Sequence, residues 1–434
     1  MRRRRGDFLA RTLSLAMLSA LAAIPGHGAG FNIFEQGTKA MGMAGAFTAQ
    51  ADDPSMLYHN AGGLAFVEER MISGGATYIQ SSEAELLGAN PFPGAGYRAE
   101  QETLSEILPH GYIVAPINDT WKWGIGMYAP FGLTTEWENP DEFAGRFLST
   151  KAALRAIDVN PNIGWQVTPN FGIGIGAFAR FSDVELRRNI AQINPFTQRV
   201  VDVGRLTLES DFNNAYGFNA GILHRVNNSF SWGLSYRSKA KVEYEGEARV
   251  EQVLTGSPQF DALLRTRLPY DRDLDVETEI EFPDQASLGL AFALSQNLLL
   301  ETDVNWMGWS TFDEVPIDFV NDELPDSTIP EQWDDVFSYR AGLRWTLGSG
   351  NQLRFGYVFD ETPQPEEGIS PLLPDADRNG YTIGYGMNGG IKADFALMYL
   401  DFKERTRARS FPGEGPFFGT YNTKAWLVGA TLSF

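Results

Sequence analysis

Phe337–Leu347 reads FSYRAGLRWTL, and its residues fall on two unlike faces. Phe337, Tyr339, Ala341, Leu343, Trp345 and Leu347 form one; Ser338, Arg340, Gly342, Arg344 and Thr346 form the other. A period of two is the signature of a strand with different media on its two sides. Gly348–Gly350 follows as a tight turn, and Leu353, Phe355, Tyr357 and Phe359 resume the pattern opposite Arg354 and Gly356. Tyr381, Ile383, Tyr385 and Met387 alternate with Thr382, Gly384 and Gly386, and the chain closes on Trp426, Val428, Ala430, Leu432 and Phe434.

Working outward, the same reading places strands at about 71–80, 107–117, 121–131, 152–167, 170–187, 205–226, 229–249, 274–294, 298–314, 335–347, 351–361, 379–388, 391–404 and 421–434. Alternation alone also fits a soluble sandwich. The connections separate the two. Short turns at Asn118–Thr120, Thr168–Pro169, Asn227–Asn228, Ser295–Asn297, Gly348–Gly350 and Gly389–Gly390 alternate with long polar loops such as 81–106, 250–273 and 362–378. Sorted loops and an even strand count describe an outer-membrane barrel. Lipid offers no hydrogen bonds, so a sheet crosses it only when closed. The expected fold is all-β: a 14-stranded antiparallel transmembrane β-barrel, apolar face to lipid and Gly, Ser and Arg face to the lumen. Trp121, Trp123, Trp306, Trp309, Trp345, Trp426 and Tyr421 are expected in the interfacial girdles. Val428 should face lipid, and Thr431 the lumen, where Arg would be tolerated.

Composition agrees. The 434 residues are rich in glycine (45) and aromatics (13%) and contain no cysteine, which excludes disulfides and thiol chemistry. Arg2–Arg5, the apolar run Thr12–Ile24, Pro25 and the small Gly26 and Gly28 read as an export signal. The domains expected are a signal peptide at 1–28, an N-terminal hatch at 29–70 and the barrel at 71–434. Residues 29–70 lack alternation and suffice to plug a lumen of this width. A net charge of −20 argues against nucleic acid. Val315–Asp334 carries Asp318, Asp322, Glu323, Asp326, Glu331 and Asp334 without Lys or Arg. That run solvates a loop or, more sharply, meets lipopolysaccharide through divalent cations.

Some of these stretches resemble the FadL-type long-chain fatty-acid transporters, a family with relatives that admit aromatic hydrocarbons. They are Ala29-Gly-Phe-Asn-Ile-Phe-Glu35 with Gly37, Gly42, Gly45 and Ala51-Asp-Asp53, then Trp333-Asp-Asp335, Tyr339-Arg340, Leu353-Arg354, Gly356-Tyr357 and Leu373-Pro-Asp-Ala-Asp-Arg378. The resemblance covers essentially all of the mature chain. It implies passive uptake of long-chain fatty acids or similar hydrophobic molecules, a gating hatch and lateral release through the wall. It also places the hatch signature at Asn60-Ala61-Gly62-Gly63-Leu64-Ala65, with Ala61 where the family has proline.

No cofactor or metal is expected, and no enzyme activity. His27, His59, His110 and His224 are scattered, and no Ser/His/acid or HExxH pattern occurs. A general diffusion porin is the alternative, and a barrel-embedded lipid hydrolase using His224 a more distant one. Arg180, Arg237, Arg340, Arg344 and Arg354 bind a carboxylate or pair with Glu301, Asp303 and Asp394. Of these, Arg340, Arg344 and Arg354 are the ligand candidates, with Phe143, Phe147 and Leu148 as a capture groove or a loop mini-core. Expected partners are outer-membrane lipid and lipopolysaccharide, plus assembly machinery that reads the terminal Phe434. The protein is expected to be a monomer.

Overall fold

A computed structural model describes residues 30–434 apart from Asp322; the expected signal peptide at 1–28 lies outside the described residues. No helix among the described residues is long and apolar enough to cross a membrane. Fourteen antiparallel strands close on themselves. They are β1 Met71–Gly88, β2 Ser105–Pro116, β3 Trp121–Glu136, β4 Lys151–Thr168 and β5 Phe171–Ile193. Three bent strands follow, each with a membrane arm and an outer arm: β6 (Val200–Ser210, Asn213–Asn227), β7 (Phe230–Arg237, Ala240–Gln252) and β8 (Asp273–Phe282, Gln285–Ala293). Then come β9 Leu298–Met307, β10 Val336–Thr346, β11 Gln352–Asp360, β12 Arg378–Met387, β13 Lys392–Phe402 and β14 Gly419–Ser433. The seam is the β1–β14 ladder, from Ser73 opposite Ser433 to Gly88 opposite Gly419.

Lipid-facing residues behave as their alternation demands. Val428, Ile383, Phe355 and Trp345 are exposed, as are Trp121 and Trp123. Two expected girdle residues are not in the girdle. Trp309 is fully buried inside the barrel, and Tyr421 packs in a loop core with Trp137 and Phe143. Both lie where the chain has left the membrane, so proximity to a strand end misled. Thr431 is luminal but buried and closely packed, which argues against the expected tolerance of Arg. Its hydroxyl donates to Thr38 and meets the His110 ring at 2.8 Å.

The lumen is filled by residues 30–67, of which nearly all are buried. They form two single-turn helices, Thr38–Met41 and Met56–His59, and a 3-10 turn, Ala61–Phe66. The luminal glycines explain how this inner segment fits. A Cβ at Gly174 would sit 2.0 Å from the Ala61 carbonyl oxygen, and one at Gly233 2.1 Å from that of Thr48. Much of the high glycine content therefore serves close contact between wall and filling.

The outer arms build a second storey. Arms of β6, β7 and β8 pair side by side above the bilayer, joined by Glu314–Phe319, which pairs with β8 at Val276 and Glu277. Their inward residues are Leu206, Leu208, Val242, Tyr244, Leu274, Val276 and Ile280, all buried. Their outward residues are charged, with cross-strand pairs Lys241–Glu279 and Arg249–Asp273.

Candidate functional site

Strand β3 is interrupted at Pro130, which has no N–H to give a ladder. Its pairing with β4 slips between Tyr128 and Phe131, and its ladder with β2 runs only from Pro116–Lys122 to Gly111–Met127. Backbone carbonyls at this depth need donors, because lipid supplies none. The inner segment supplies donors for two of them and an acceptor for one wall N–H. Ile33 N–H donates to the Pro130 carbonyl at 2.8 Å, Gln36 Nε2 donates to that of Ala129 at 2.5 Å, and Gly132 N–H donates to the Phe31 carbonyl at 3.0 Å. Residues 31–36 thus line a gap in the wall between β2 and β3.

The inner segment is held on the opposite side by carboxylates. Asp303 on β9 accepts from the N–H groups of Phe47 and Thr48, both at 3.0 Å. Glu301 accepts from Ala49 at 2.5 Å and from the Gln50 side chain at 2.8 Å. Asp52 bridges Lys39 at 2.8 Å and Arg344 at 2.7 Å. Glu301 and Asp303 are buried, so removing either acceptor leaves its N–H donors unsatisfied at a cost of about 1–3 kcal/mol each.

Above the segment lies an apolar cavity of about 110 Å³. Its wall comes from Leu133, Ala152, Leu154, Leu186, Leu208, Tyr244, Val276 and Ile280, and its roof from Phe312, Ile317 and Leu372. Phe31 forms the floor, set edge-on against Trp309 at 4.6 Å and Phe312 at 5.4 Å, with Phe131, Phe282 and Trp333 around it. Every methylene buried there gains about 0.8 kcal/mol, so about ten are needed to reach the roughly 8 kcal/mol of micromolar affinity. Beneath the floor the guanidinium of Arg180 lies 4.5 Å from the Phe131 ring and is clamped bidentately by Asp158. Two loop acids cap the cluster. Glu331 accepts from Trp333 Nε1 at 2.8 Å, and burial pushes its pKa up to about 8. Asp375 accepts from Gly30 N–H at 3.3 Å, and burial raises it to about 6.

The residues singled out from sequence fall in several places. Asn60 is fully buried; its Nδ2 donates to the carbonyls of Thr48 at 2.7 Å and Ile222 on β6 at 2.9 Å, and its Oδ1 accepts from Gly62 N–H. A Cβ on Gly62 would press on Ile222, one on Gly63 would meet the Ala51 carbonyl oxygen, and Ala61 lies over Gly174. Arg354 pairs with Asp394 at 2.6 Å and Arg344 with Asp52. Glu301 and Asp303 serve backbone N–H groups in place of the expected arginine partners. Arg340 lies 3.9 Å over the Phe34 ring. Phe143 stacks on Trp137 at 4.4 Å inside a loop core, Phe147 is covered by Arg146, and Leu148 is exposed. None of these three lines the cavity. His224 faces Asn170 and the rings of Phe171 and Trp232.

Sequence reading missed the cavity residues. The signal was present in 240–250 and 274–282, where charged residues alternate with apolar ones more densely than a lumen–lipid strand allows. Trp309 and Phe312 carried a weaker one, being large aromatics beside a break in periodicity.

Comparison with known proteins converges. The family model described as "Outer membrane protein transport protein (OMPP1/FadL/TodX)" matches residues 19–434. A long-chain fatty acid transport protein of Escherichia coli O6:H1 is 23% identical, covering 97% of each chain. Outer membrane protein P1 of Haemophilus influenzae is 23% identical over 90% of each. Among solved structures, a Pseudomonas aeruginosa FadL homologue has a TM-score of 0.80 at 19% identity, covering 93% of this chain and 99% of that one. The Pseudomonas putida toluene transporter TodX reaches 0.69 at 14% identity, covering 94% and 98%.

Proposed function

Since the chain belongs to the outer membrane protein transport family (OMPP1/FadL/TodX), we propose that it carries long-chain fatty acids or similar hydrophobic molecules inward across the outer membrane without an energy source. One observation carries this reading: an apolar cavity inside the outer storey is floored by Phe31, a residue of the segment that fills the lumen. A molecule captured there meets the filling directly. Residues 29–70 act as a hatch, and the gap between β2 and β3 beside residues 31–36 is the outlet into the wall. Asn60 is the hinge tie, joining the hatch to β6 while Gly62 and Gly63 let the backbone lie close. A general porin needs an open lumen, which the buried segment 30–67 argues against.

The test fills the cavity. Ala152→Phe, made at normal surface level, should lower uptake of labelled oleate about tenfold or more; toluene should be assayed in parallel, given the TodX likeness. Undiminished uptake of both would remove the cavity from the route. Deleting residues 29–66 should also convert a nearly silent protein into a steady conductor in planar bilayers. Large conductance from the intact protein would favour the porin.

A further inference from the structure

The wall opens at a second place, between β6 and β7. Ser210 faces Gly246 in the upper ladder and Asn219 faces Arg237 in the lower one, so the register is the same above and below. Yet residues 211–217 of β6 and 239–245 of β7, which lie opposite one another between those pairs, form no ladder among the described residues. The next joint round the barrel behaves differently. β7 and β8 pair down to Ala240 with Phe282 and resume at Arg237 with Gln285, skipping only 238–239 and 283–284.

The cause is where each strand turns its pleat over. β7 and β8 do so opposite each other, at 238–239 and 283–284, so their inward faces match again at once. β6 does so at 211–212, higher up the wall than the turnover of β7. In the interval the faces disagree: buried Ala215 lies opposite exposed Lys241, and exposed Tyr216 opposite buried Ala240. Residues directly opposed in a regular antiparallel pair share a face, so no ladder forms here. Phe218 and Ser238 close the lower end. The Ser238 N–H donates to the Phe218 carbonyl at 2.8 Å, and the Phe218 N–H donates to the Ser238 hydroxyl at 2.9 Å.

Behind the opening lie Phe178, Ala215, Val242 and Tyr244, all members of the cluster around Phe31. Tyr244, with Ser210 and Gly246 of the upper rim, lines the apolar cavity. A single hydrogen bond to Ser182, at 2.8 Å, holds its hydroxyl. Outside, the rim is aromatic: Tyr216 is 74% exposed, Phe218 55% and Phe212 43%. Such rings belong at the membrane surface, where β6 and β7 leave the lipid.

We propose that this opening is a side entrance, through which apolar molecules dissolved in the outer leaflet pass between β6 and β7, turn Tyr244 aside and reach the apolar cavity. It extends the transport reading above, on which it rests, and is separate from the outlet between β2 and β3. Every methylene that leaves lipid for water costs free energy, so a path that stays apolar throughout favours molecules already held in the membrane. The entrance also lies above the inner segment, so loading the cavity requires no movement of that segment.

The chain has no native cysteine, so Tyr216→Cys with Lys241→Cys places one thiol on each side of the outer rim. A short bis-thiosulfonate reagent staples the two, and a reductant releases them. The purified full-length variant in lipid nanodiscs is given a diazirine-bearing dodecane dissolved in the disc lipid, and light flashes at successive times label what the probe has reached. Heat-modifiable gel mobility confirms a folded barrel. Stapling should slow labelling of the cavity residues Leu208 and Tyr244 about tenfold or more, reversibly, with labelling of lipid-facing Leu234 held within about twofold. Cavity labelling that ignores the staple, or a cavity never labelled from disc lipid, overturns the inference. Should the staple act as expected while cells take up neither oleate nor toluene, the transport reading falls and the entrance stands. Normal uptake with a staple that changes nothing keeps the transport reading and removes the entrance.

Discussion

Strand β7 has two halves that share one sequence rule and obey it in opposite directions. In the membrane arm, Leu234 and Tyr236 face outward and Ser235 and Arg237 inward; above the bend at Ser238, Val242 and Tyr244 face inward and Lys241 and Glu243 outward. The apolar residues remain even-numbered throughout, so the letters show no break. What changes is the geometry: the irregular pair Ser238–Lys239 turns the pleat over by one residue, with the Ser238 hydroxyl and N–H tied to Phe218. β6 and β8 turn over in the same way at 211–212 and 283–284. Apolar side chains follow the drier surroundings on each level, lipid outside the lower arm and an apolar cavity inside the upper one.

The contrast can be broken most forcefully in the lower storey. Gly174→Val should drive a side chain into the Ala61 carbonyl and cost about 3 kcal/mol or more, read as loss of the heat-modifiable folded form. Gly348, where a Cβ meets nothing within 4 Å, should accept Ala with a change under about 0.5 kcal/mol. If both variants assemble alike, the luminal glycines are not spacers.

Outward charges give the next largest effect. Leu234→Arg should destabilise by about 2–4 kcal/mol, as for lipid-facing sites near mid-membrane. Glu243→Leu on the upper arm should stay within about 0.5 kcal/mol. Reversible unfolding in urea measures both, and equal costs would place the upper arm in lipid. Asn60→Ala should follow at about 1–3 kcal/mol through the two orphaned carbonyls and the freed Gly62 N–H. Oleate uptake then reads its effect on gating, and unchanged uptake would reduce Asn60 to a turn residue.

The smallest effect concerns the cap of the upper storey. Glu331 and Asp375 hold their protons more tightly folded than unfolded, because burial raises both. Stability of the cap is therefore full below the ordinary carboxylate range and falls as pH rises, through about 6 for Asp375 and about 8 for Glu331. Protection factors in 331–378, with the intrinsic pH dependence of exchange divided out, should fall between about pH 4 and 8, on the order of tenfold or more. Glu331→Gln should abolish the upper part of that change; an unaltered profile would assign it elsewhere.

How much of this was legible beforehand divides along the same line. Alternation and turn lengths were enough for a fourteen-stranded barrel, since both are local consequences of pairing every backbone group in lipid. The bends in β6, β7 and β8 were not legible, because a one-residue turnover leaves the letters' order unchanged. Nor was the fate of the arginines: Arg354 found Asp394, but Arg344 found Asp52 of the inner segment, from nearly three hundred residues away in the chain. The sequence by itself determined that these strands must close and that their polar face would be rich in glycine. Only the tertiary structure decided what that face meets, because the partners of Gly174, Asp303 and Asn60 are supplied by a segment with no periodicity of its own. Its path is set by which wall groups still lacked a hydrogen bond once the barrel had closed.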